Sequence, residues 1–513
     1  MNQTVLRRKF QSLASTAIVG AMLLGGAMPA LSQELGRVVI AQHIDIDTLD
    51  GSQNVTTHHR YVFRHIYDPL ITLDQNGDVQ PALAESWENI DPVTWRFHLR
   101  EGVKFQNGEP LTAEAVALAV EKSRDPAAQS RSTMALFSDV KVVDDHTVDI
   151  VTRVPAANAL LQIADFIYPL PPKYYEEVGG SDFALKPVGT GAYKVKEWRR
   201  GDRIILEANP DWWAGTPKAT EVVFWAIPEA STRVAAVLNG EADVASQVPP
   251  IQVTRFEGTE EARVGTSDAG VQPIWGGMIN DREPFDDLRV RQAVNHAINK
   301  QAIVDRLLRG YGRVMNQPCS AATICYVEGL PDFKYDPEKA KALLAEAGVE
   351  NLSVTLDAPI GIVPQAAEIT EVVAGNLRAV GIEVTTRVEE WPVFSKRLFD
   401  VANRQAELGD MFLMYYKGGP TGEGTIRNIT ESTNDWNWTH FADAKIDENW
   451  KKALADFDPE TRKATMQEIS KIHHEQAPWF YLYEPLSIWG ISNRIEWQPR
   501  NDDFIFVEDM EVR

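Results

Sequence analysis

Cysteine is nearly missing from this sequence. Cys319 and Cys325, in the run PCSAATIC, are the only two. So few thiols exclude a multi-disulfide scaffold. With no further cysteine or nearby histidine to complete a set, a thiolate metal site is not expected either. In an oxidising compartment the pair reads as a short-loop disulfide; the other reading is two unpaired thiols. Long apolar runs are the second shortage. After residue 32 none approaches the ~18 residues that a membrane-spanning helix needs, so a soluble mature chain is expected. Positive charge is the third. Lysine and arginine number 51 against 73 aspartates and glutamates, a formal net charge of −22. Phosphate would be repelled, which argues against nucleic acid or an anionic membrane as partner. Catalytic motifs are wanting too: there is no GxSxG elbow, no HExxH helix and no P-loop. His473-His474-Glu475 lacks a second ligand at metalloprotease spacing. With 73 acidic residues, any carboxylate spacing can be found, so none carries weight.

What is present is an ordinary globular composition over 513 residues, 44% hydrophobic and 24% charged. That is enough chain for two or three domains. Arg7-Arg8-Lys9 followed by an apolar stretch at 17–28 and small residues at Ala30 and Ser32 reads as an export signal covering 1–32. Arg7-Arg8-x-Phe10 is similar to a twin-arginine signal, although Leu6 stands where Ser or Thr is usual; a general secretory signal is the alternative. No cysteine follows the apolar stretch, so a lipid anchor is not expected.

Period and punctuation then place the elements. Residues 94–100 alternate, with Trp95, Phe97 and Leu99 on one face, and predict a half-buried strand. Thr112 stands at a helix N-cap, with Glu114 in the first turn. Residues 141–151 form a hairpin pattern. Gly189-Thr190-Gly191 looks like a phosphate loop, but strands rather than a helix follow it, so that reading fails. Residues 272–280 form an apolar strand holding Gly276 and Gly277, a sign of a bend or of another group approaching closely. Helices are predicted after Asp286 or Asp287, over 301–309 with Gly310 ending it, from Pro337 to Gly348, and from Pro459 to about His473. Strand, helix and strand over 352–356, 364–380 and 382–388 make a βαβ unit and hence a parallel pair. His58 and His59 are neighbours on a predicted helix and point about 100° apart, so exposed or capping roles outweigh a shared metal.

Several of these segments also form an ordered set of blocks: YDPL, a DxxG turn at 74–77, PALAESW, TWRFHLREGVKF, NGEPLTAEAV, VGTGAY, NPDWW and PFDDLRVRQAVNHAI. In content and spacing the set resembles the family 5 extracellular solute-binding proteins, the peptide, opine and nickel-binding subunits of ABC importers. The resemblance implies an α/β, bilobal periplasmic-binding-protein fold with mixed sheets, a hinge between the lobes and an extra subdomain in lobe one. Lobe one would span 33–272, with the subdomain at about 62–186, and lobe two 273–483. Residues 484–513 would return to lobe one. It implies a monomer without cofactor, resident in the periplasm. Such a protein closes on a peptide or small solute and docks on a permease whose partner ATPases hydrolyse ATP.

The same resemblance nominates the ligand contacts. The segment matching 50–58 lies at the mouth of the family's cleft, which selects Asn54, Thr56 and Thr57. Trp391 belongs to the family's Glu-Trp element. Tyr415, Tyr416, Lys417, Gly418 and Gly419 occupy the loop after the 411–415 strand, and Arg427 is a cation able to hold a carboxylate. Trp275, beside the paired glycines, is either cleft wall or core. Peptide-binding relatives carry an aspartate for the α-amine where Gly419 stands here, and dipeptide binders an arginine for the carboxylate where Ile362 stands. An α-amine buried without a counter-charge is costly. The ligand is therefore expected to be a peptide held mainly through its backbone, an opine-like conjugate or another polar metabolite. A metal chelate, with His58, His59 and His65 as the one histidine cluster, is the rival within the family. A hydrolase, or a sensor or chaperone without transport, lies outside it.

Overall fold

The computed structural model describes residues 35–513 apart from 54–56, 76, 127, 132, 268–271, 322, 361, 403–407 and 417–422. The export signal at 1–32 thus lies outside the described residues. Three sheets organise the rest. A seven-stranded mixed sheet runs Ala262–Ser267, Ser487–Ser492, Val244–Ala245, Arg37–Gln42, Glu221–Ala226, Arg203–Ala208, Tyr193–Arg199. A six-stranded mixed sheet runs Gly312–Val314, Trp479–Pro485, Ile274–Met278, Met411–Tyr415, Ser353–Ile360, Glu383–Glu390. A four-stranded antiparallel sheet runs Ala84–Asp91, Thr94–Leu99, Thr147–Thr152, Phe137–Asp144.

The strand patterns explain the layers. Thr94–Leu99 buries Trp95, Phe97 and Leu99, as its alternation requires. The six-stranded sheet behaves differently, because both its faces are covered. Met411, Leu413, Phe480 and Leu482 enter one core, while Phe412, Met414, Trp479 and Tyr481 enter another. That is why MFLMYY and WFYLY read as continuous apolar runs. Gly276 and Gly277 serve those two faces. A Cβ on Gly276 would lie 1.6 Å from the Phe480 ring, and one on Gly277 2.1 Å from the Phe412 ring. The pair admits aromatic rings and allows close approach. Ser353–Ile360 and Glu383–Glu390 pair in parallel around the Ala366–Ala379 helix, as the βαβ pattern requires.

Helix starts follow their caps. Asp287, Asp336 and Asp458 each accept a backbone N–H of the first turn, which satisfies a donor with no partner inside the helix. One expectation is met without its usual hydrogen bond, and one needs correction. Thr112 does occupy the N-cap, but its side chain makes no capping hydrogen bond. The helix over 301–309 is an α-turn at Lys300–Ala302 followed by a π-turn at Ile303–Leu307. Gly310, with φ of +84°, ends it.

The VGTGAY and NPDWW blocks lock onto YDPL. Asp68 accepts the indole N–H of Trp213 at 2.7 Å and of Trp212 at 3.4 Å, and its backbone N–H donates to Thr190 Oγ1 at 3.1 Å. Gly191 donates to the Ile66 carbonyl at 2.9 Å. A Cβ at Gly191 would lie 2.5 Å from the His65 carbonyl oxygen, so the position accepts only glycine. These contacts tie the three blocks to one another.

Candidate ligand-binding cleft

Twice the chain passes between the two large sheets. Strand Ala262–Ser267 leads toward Ile274–Met278, and strand Trp479–Pro485 leads into Ser487–Ser492 with only Leu486 between. The strands that flank the passes are paired: Ser267 with Ser487 on the seven-stranded sheet, and Ile274 with Tyr483 on the six-stranded one. The strand ends on this side of each sheet, at Ser267 and Ser487 on one and at Ile274 and Tyr483 on the other, therefore form an edge that only a short connection separates from the other sheet.

On the seven-stranded sheet, Arg37–Gln42 lies parallel to both Val244–Ala245 and Glu221–Ala226. The chain thus leaves the centre of the sheet in two directions at the carboxyl ends of these strands, a topology that opens a ligand crevice. Gln42, Ser246 and Ser267 line up along this edge. Their side chains are 1%, 0% and 5% exposed. Gln42 Oε1, Ser246 Oγ and Ser267 Oγ have no hydrogen-bond partner among the described residues. A buried polar atom left unpaired costs about 1–3 kcal/mol, so these three are able to hydrogen-bond a polar group that reaches this edge. Gln247, the next residue, takes the left-handed φ of +52°. His43 follows Gln42, and its ring meets His58 edge-on at 4.4 Å.

On the six-stranded sheet, Ser353–Ile360, Glu383–Glu390 and Met411–Tyr415 are mutually parallel and end at the same edge. Tyr415 and Tyr483 flank Ile274 there. Burial raises the phenol pKa of both, so each is a neutral hydroxyl at physiological pH. Trp391 directly follows Glu390 as the first residue of helix Trp391–Ala402 and is half-buried. That helix is pinned by a buried carboxylate. Asp357 accepts from Arg387 Nε and Nη2, both at 2.7 Å, and from the Gly409 N–H at 2.8 Å. Arg397, on the helix, reaches it at 3.2 Å and also pairs with Glu389.

The structure sorts the expected residues as follows. Trp391 and Tyr415 stand at the edge. Tyr416 is buried, its hydroxyl donating to the Pro318 carbonyl at 2.7 Å, so it braces the edge from behind. Trp275 is core: it is 1% exposed and stacks on Trp479 at 3.8 Å. Arg427 is not a spare cation, because Glu431 one turn on pairs with it at 3.0 Å. Thr57 begins helix Thr57–Ile66. Asn54, Thr56, Lys417, Gly418 and Gly419 lie outside the described residues. Gln42, Ser246, Ser267 and Tyr483 escaped sequence reasoning; their one signal is position, at or just past a strand end. A surface cavity of about 860 Å³ lies elsewhere, where His98, His146 and Trp213 meet, and holds none of these residues.

Comparison with known proteins decides the family. The profile of the bacterial extracellular solute-binding proteins, family 5 Middle, matches residues 78–437. The chain belongs to the family 5 extracellular solute-binding proteins. Among family 5 relatives, heme-binding protein A of Haemophilus influenzae is 26% identical over 466 residues, 84% of each chain. The di/tripeptide-binding protein 2 of Pseudomonas aeruginosa is 29% identical over 452 residues, 80% of this chain and 82% of its own. The glutathione-binding protein GsiB of Salmonella typhi is 28% identical over 476 residues, 89% of this chain and 90% of its own. In fold, HbpA2 from Haemophilus parasuis superposes with a TM-score of 0.83 at 21% identity, over 93% of this chain and 100% of that one. DppA from Helicobacter pylori, in complex with the peptide STSA, gives 0.74 at 24% identity, over 93% and 98%. The fold is thus the bilobal α/β one of the family 5 proteins. Family 5 also contains nickel binders, yet among the described residues no three His, Cys, Asp or Glu side chains converge on a metal position. His58 meets the His43 ring edge-on, His59 pairs with Asp47 at 2.8 Å, and buried His65 accepts the Val507 N–H at 3.3 Å. The three histidines do not form the cluster that their spacing allowed.

Proposed function

We propose that this protein captures a peptide or peptide-like polar solute in the periplasm and delivers it to the permease of an ABC importer. Export depends on the leader at 1–32, by the twin-arginine or the general route. The protein works as a monomer, without cofactor and without turnover; ATP is hydrolysed by the importer's own ATPases. Lobe one comprises 33–272 and 484–513, with the four-stranded sheet in its inserted subdomain, and lobe two comprises 273–483. Closure bends the two crossings, and ligand contacts from both lobes favour the closed state.

The observation that carries this reading is the pairing of opposed edges. Lobe one offers the unpartnered Gln42 Oε1, Ser246 Oγ and Ser267 Oγ. Lobe two offers Trp391, Tyr415 and Tyr483. Aromatic surface with a few placed hydrogen-bonding groups suits a polar solute with an apolar body. Names among the relatives (dipeptides, glutathione) fit that chemistry. A second reading, a metal chelate or heme-like ligand, is favoured by the His43–His58 pair at the lobe-one edge.

Thermal-shift measurements on the mature protein test both. Tripeptides, glutathione and a nickel–histidine chelate are compared. A ligand at 100 times its Kd stabilises by about 2.7 kcal/mol, a clear rise in Tm. A response to peptides or glutathione supports the first reading, and a response to the chelate alone supports the second. No response to any of them contradicts both.

A further inference from the structure

A long irregular connection joins strand Gly312–Val314 to helix Pro337–Glu346. The structure joins Cys319 to Cys325 within it, and both are 1% exposed. The loop is tied down on every side. Gln317 donates to the Val327 carbonyl at 3.0 Å and accepts the Val327 N–H at 2.9 Å. Ser470 Oγ donates to Cys319 Sγ at 2.9 Å, and Thr323 Oγ1 donates to the Ser320 carbonyl at 2.7 Å. Gln467 donates to the Tyr326 carbonyl at 2.9 Å.

Two further contacts leave the loop for the edge of the six-stranded sheet. The Pro318 carbonyl, next to Cys319, accepts the Tyr416 hydroxyl at 2.7 Å. Ser320 Oγ, on the other side of Cys319, donates to Glu484. Tyr416 directly follows strand Met411–Tyr415, and Glu484 is two residues before Leu486, where the chain passes to the other sheet. The disulfide thus stands between the anchor of one cleft-facing strand end and the anchor of a crossing strand. Its sulfurs share one apolar cluster with Tyr416, Trp275 and Trp479.

We infer that the disulfide-closed loop at 317–327 is a positioning element for the cleft. Its Pro318 carbonyl holds Tyr416, which fixes the strand end presenting Tyr415, and its Ser320 steadies the crossing at Glu484. The covalent bond holds Cys319, and with it the adjacent Pro318 carbonyl and Ser320 hydroxyl, against the rest of the loop, so both strand ends are ordered before ligand arrives. Tyr416 and the two cysteines act through this wall and do not touch the solute. The inference rests on reading these edges as the ligand cleft.

Hydrogen exchange followed by mass spectrometry on the mature, ligand-free protein tests it. Tyr416→Phe removes one hydroxyl and keeps the ring; it should speed exchange over 411–416 about tenfold, the loss of one net hydrogen bond, and leave 317–327 unchanged. The Cys319→Ser, Cys325→Ser protein should speed exchange at 317–327, at 411–416 and at 479–485. The combined variant should be no faster at 411–416 than the cysteine variant, because both remove one linkage. Faster exchange confined to 317–327 in the cysteine variant, or additive effects at 411–416, overturns the inference. Should the cysteine variant fail to fold, unchanged exchange at 411–416 in Tyr416→Phe does so alone. Thermal shift of the wild type is read separately, so a protein that binds no solute refutes the ligand reading while exchange still decides the positioning role.

Discussion

Replacing Asp357 by asparagine should cost the six-stranded sheet and the helices packed on it about 3 kcal/mol. The carboxylate is 0% exposed and lies mid-strand in Ser353–Ile360, next to the edge strand Glu383–Glu390. It receives both Arg387 nitrogens at 2.7 Å, the Gly409 N–H at 2.8 Å and Arg397 at 3.2 Å. Asparagine keeps the volume but loses the charge, and it turns an NH2 toward guanidinium donors. Removing one partner of a buried pair typically costs about 3–5 kcal/mol. The lower end applies because the Arg387 side chain is 41% exposed and water can reach it once the pair is broken. At about 2–4 °C per kcal/mol for a body of roughly 150–250 residues, an unfolding transition of the part built on the six-stranded sheet should fall by roughly 6–12 °C. Differential scanning calorimetry of the mature protein measures it. Arg387→Gln, which removes the more exposed partner, should cost less. A fall under about 2 °C for Asp357→Asn would refute the claim that this carboxylate pins the Trp391 helix.

Other outcomes follow from the same contacts. Burial holds the His65 imidazole near a pKa of about 4, and its ring already accepts the Val507 N–H, so the folded protein keeps it neutral. The unfolded chain takes up that proton below about pH 6.5, so this residue's contribution is present above 6.5 and is lost as pH falls toward 4, by on the order of 3 kcal/mol. Urea unfolding of the wild type and of His65→Gln should therefore converge as pH falls through that window; a constant gap would contradict this. Gly191→Ala pushes a methyl against the His65 and Ile66 carbonyls and should cost on the order of 3 kcal/mol, read as a lower urea midpoint. Arg427→Gln should leave binding of any responding ligand within about twofold, because Glu431 already takes that cation; a tenfold loss by calorimetric titration would return Arg427 to the site.

Much of the fold was legible because its signals are local. The alternation of Thr94–Leu99 and the aspartates before the helices at Leu288, Pro337 and Pro459 each name an element through neighbouring residues. The order of the motif blocks carried the architecture. The candidate site was less legible, since its residues are defined by strand ends brought together over long distances. Gln42 and Ser246 are 204 positions apart, and nothing in their own neighbourhoods marks them. Trp275 was ambiguous because, in a sheet covered on both faces, a tryptophan beside glycines fits wall and core equally well; only the stacked Trp479 decides it. Arg427 could have been paired from sequence, with Glu431 four residues on. The π-turn at Ile303–Leu307 has no comparable signature, because it depends on how that turn packs.

The central claim is that a solute sits between the two edges. Native mass spectrometry of the mature protein, taken directly from its host, tests it most directly, because a closed cleft releases its ligand slowly. The account predicts a retained small polar mass, either a series spaced by amino-acid residues or one conjugate, that is lost when Trp391 is replaced by alanine. Protein that carries no added mass, or a mass retained equally by Trp391→Ala, would contradict it.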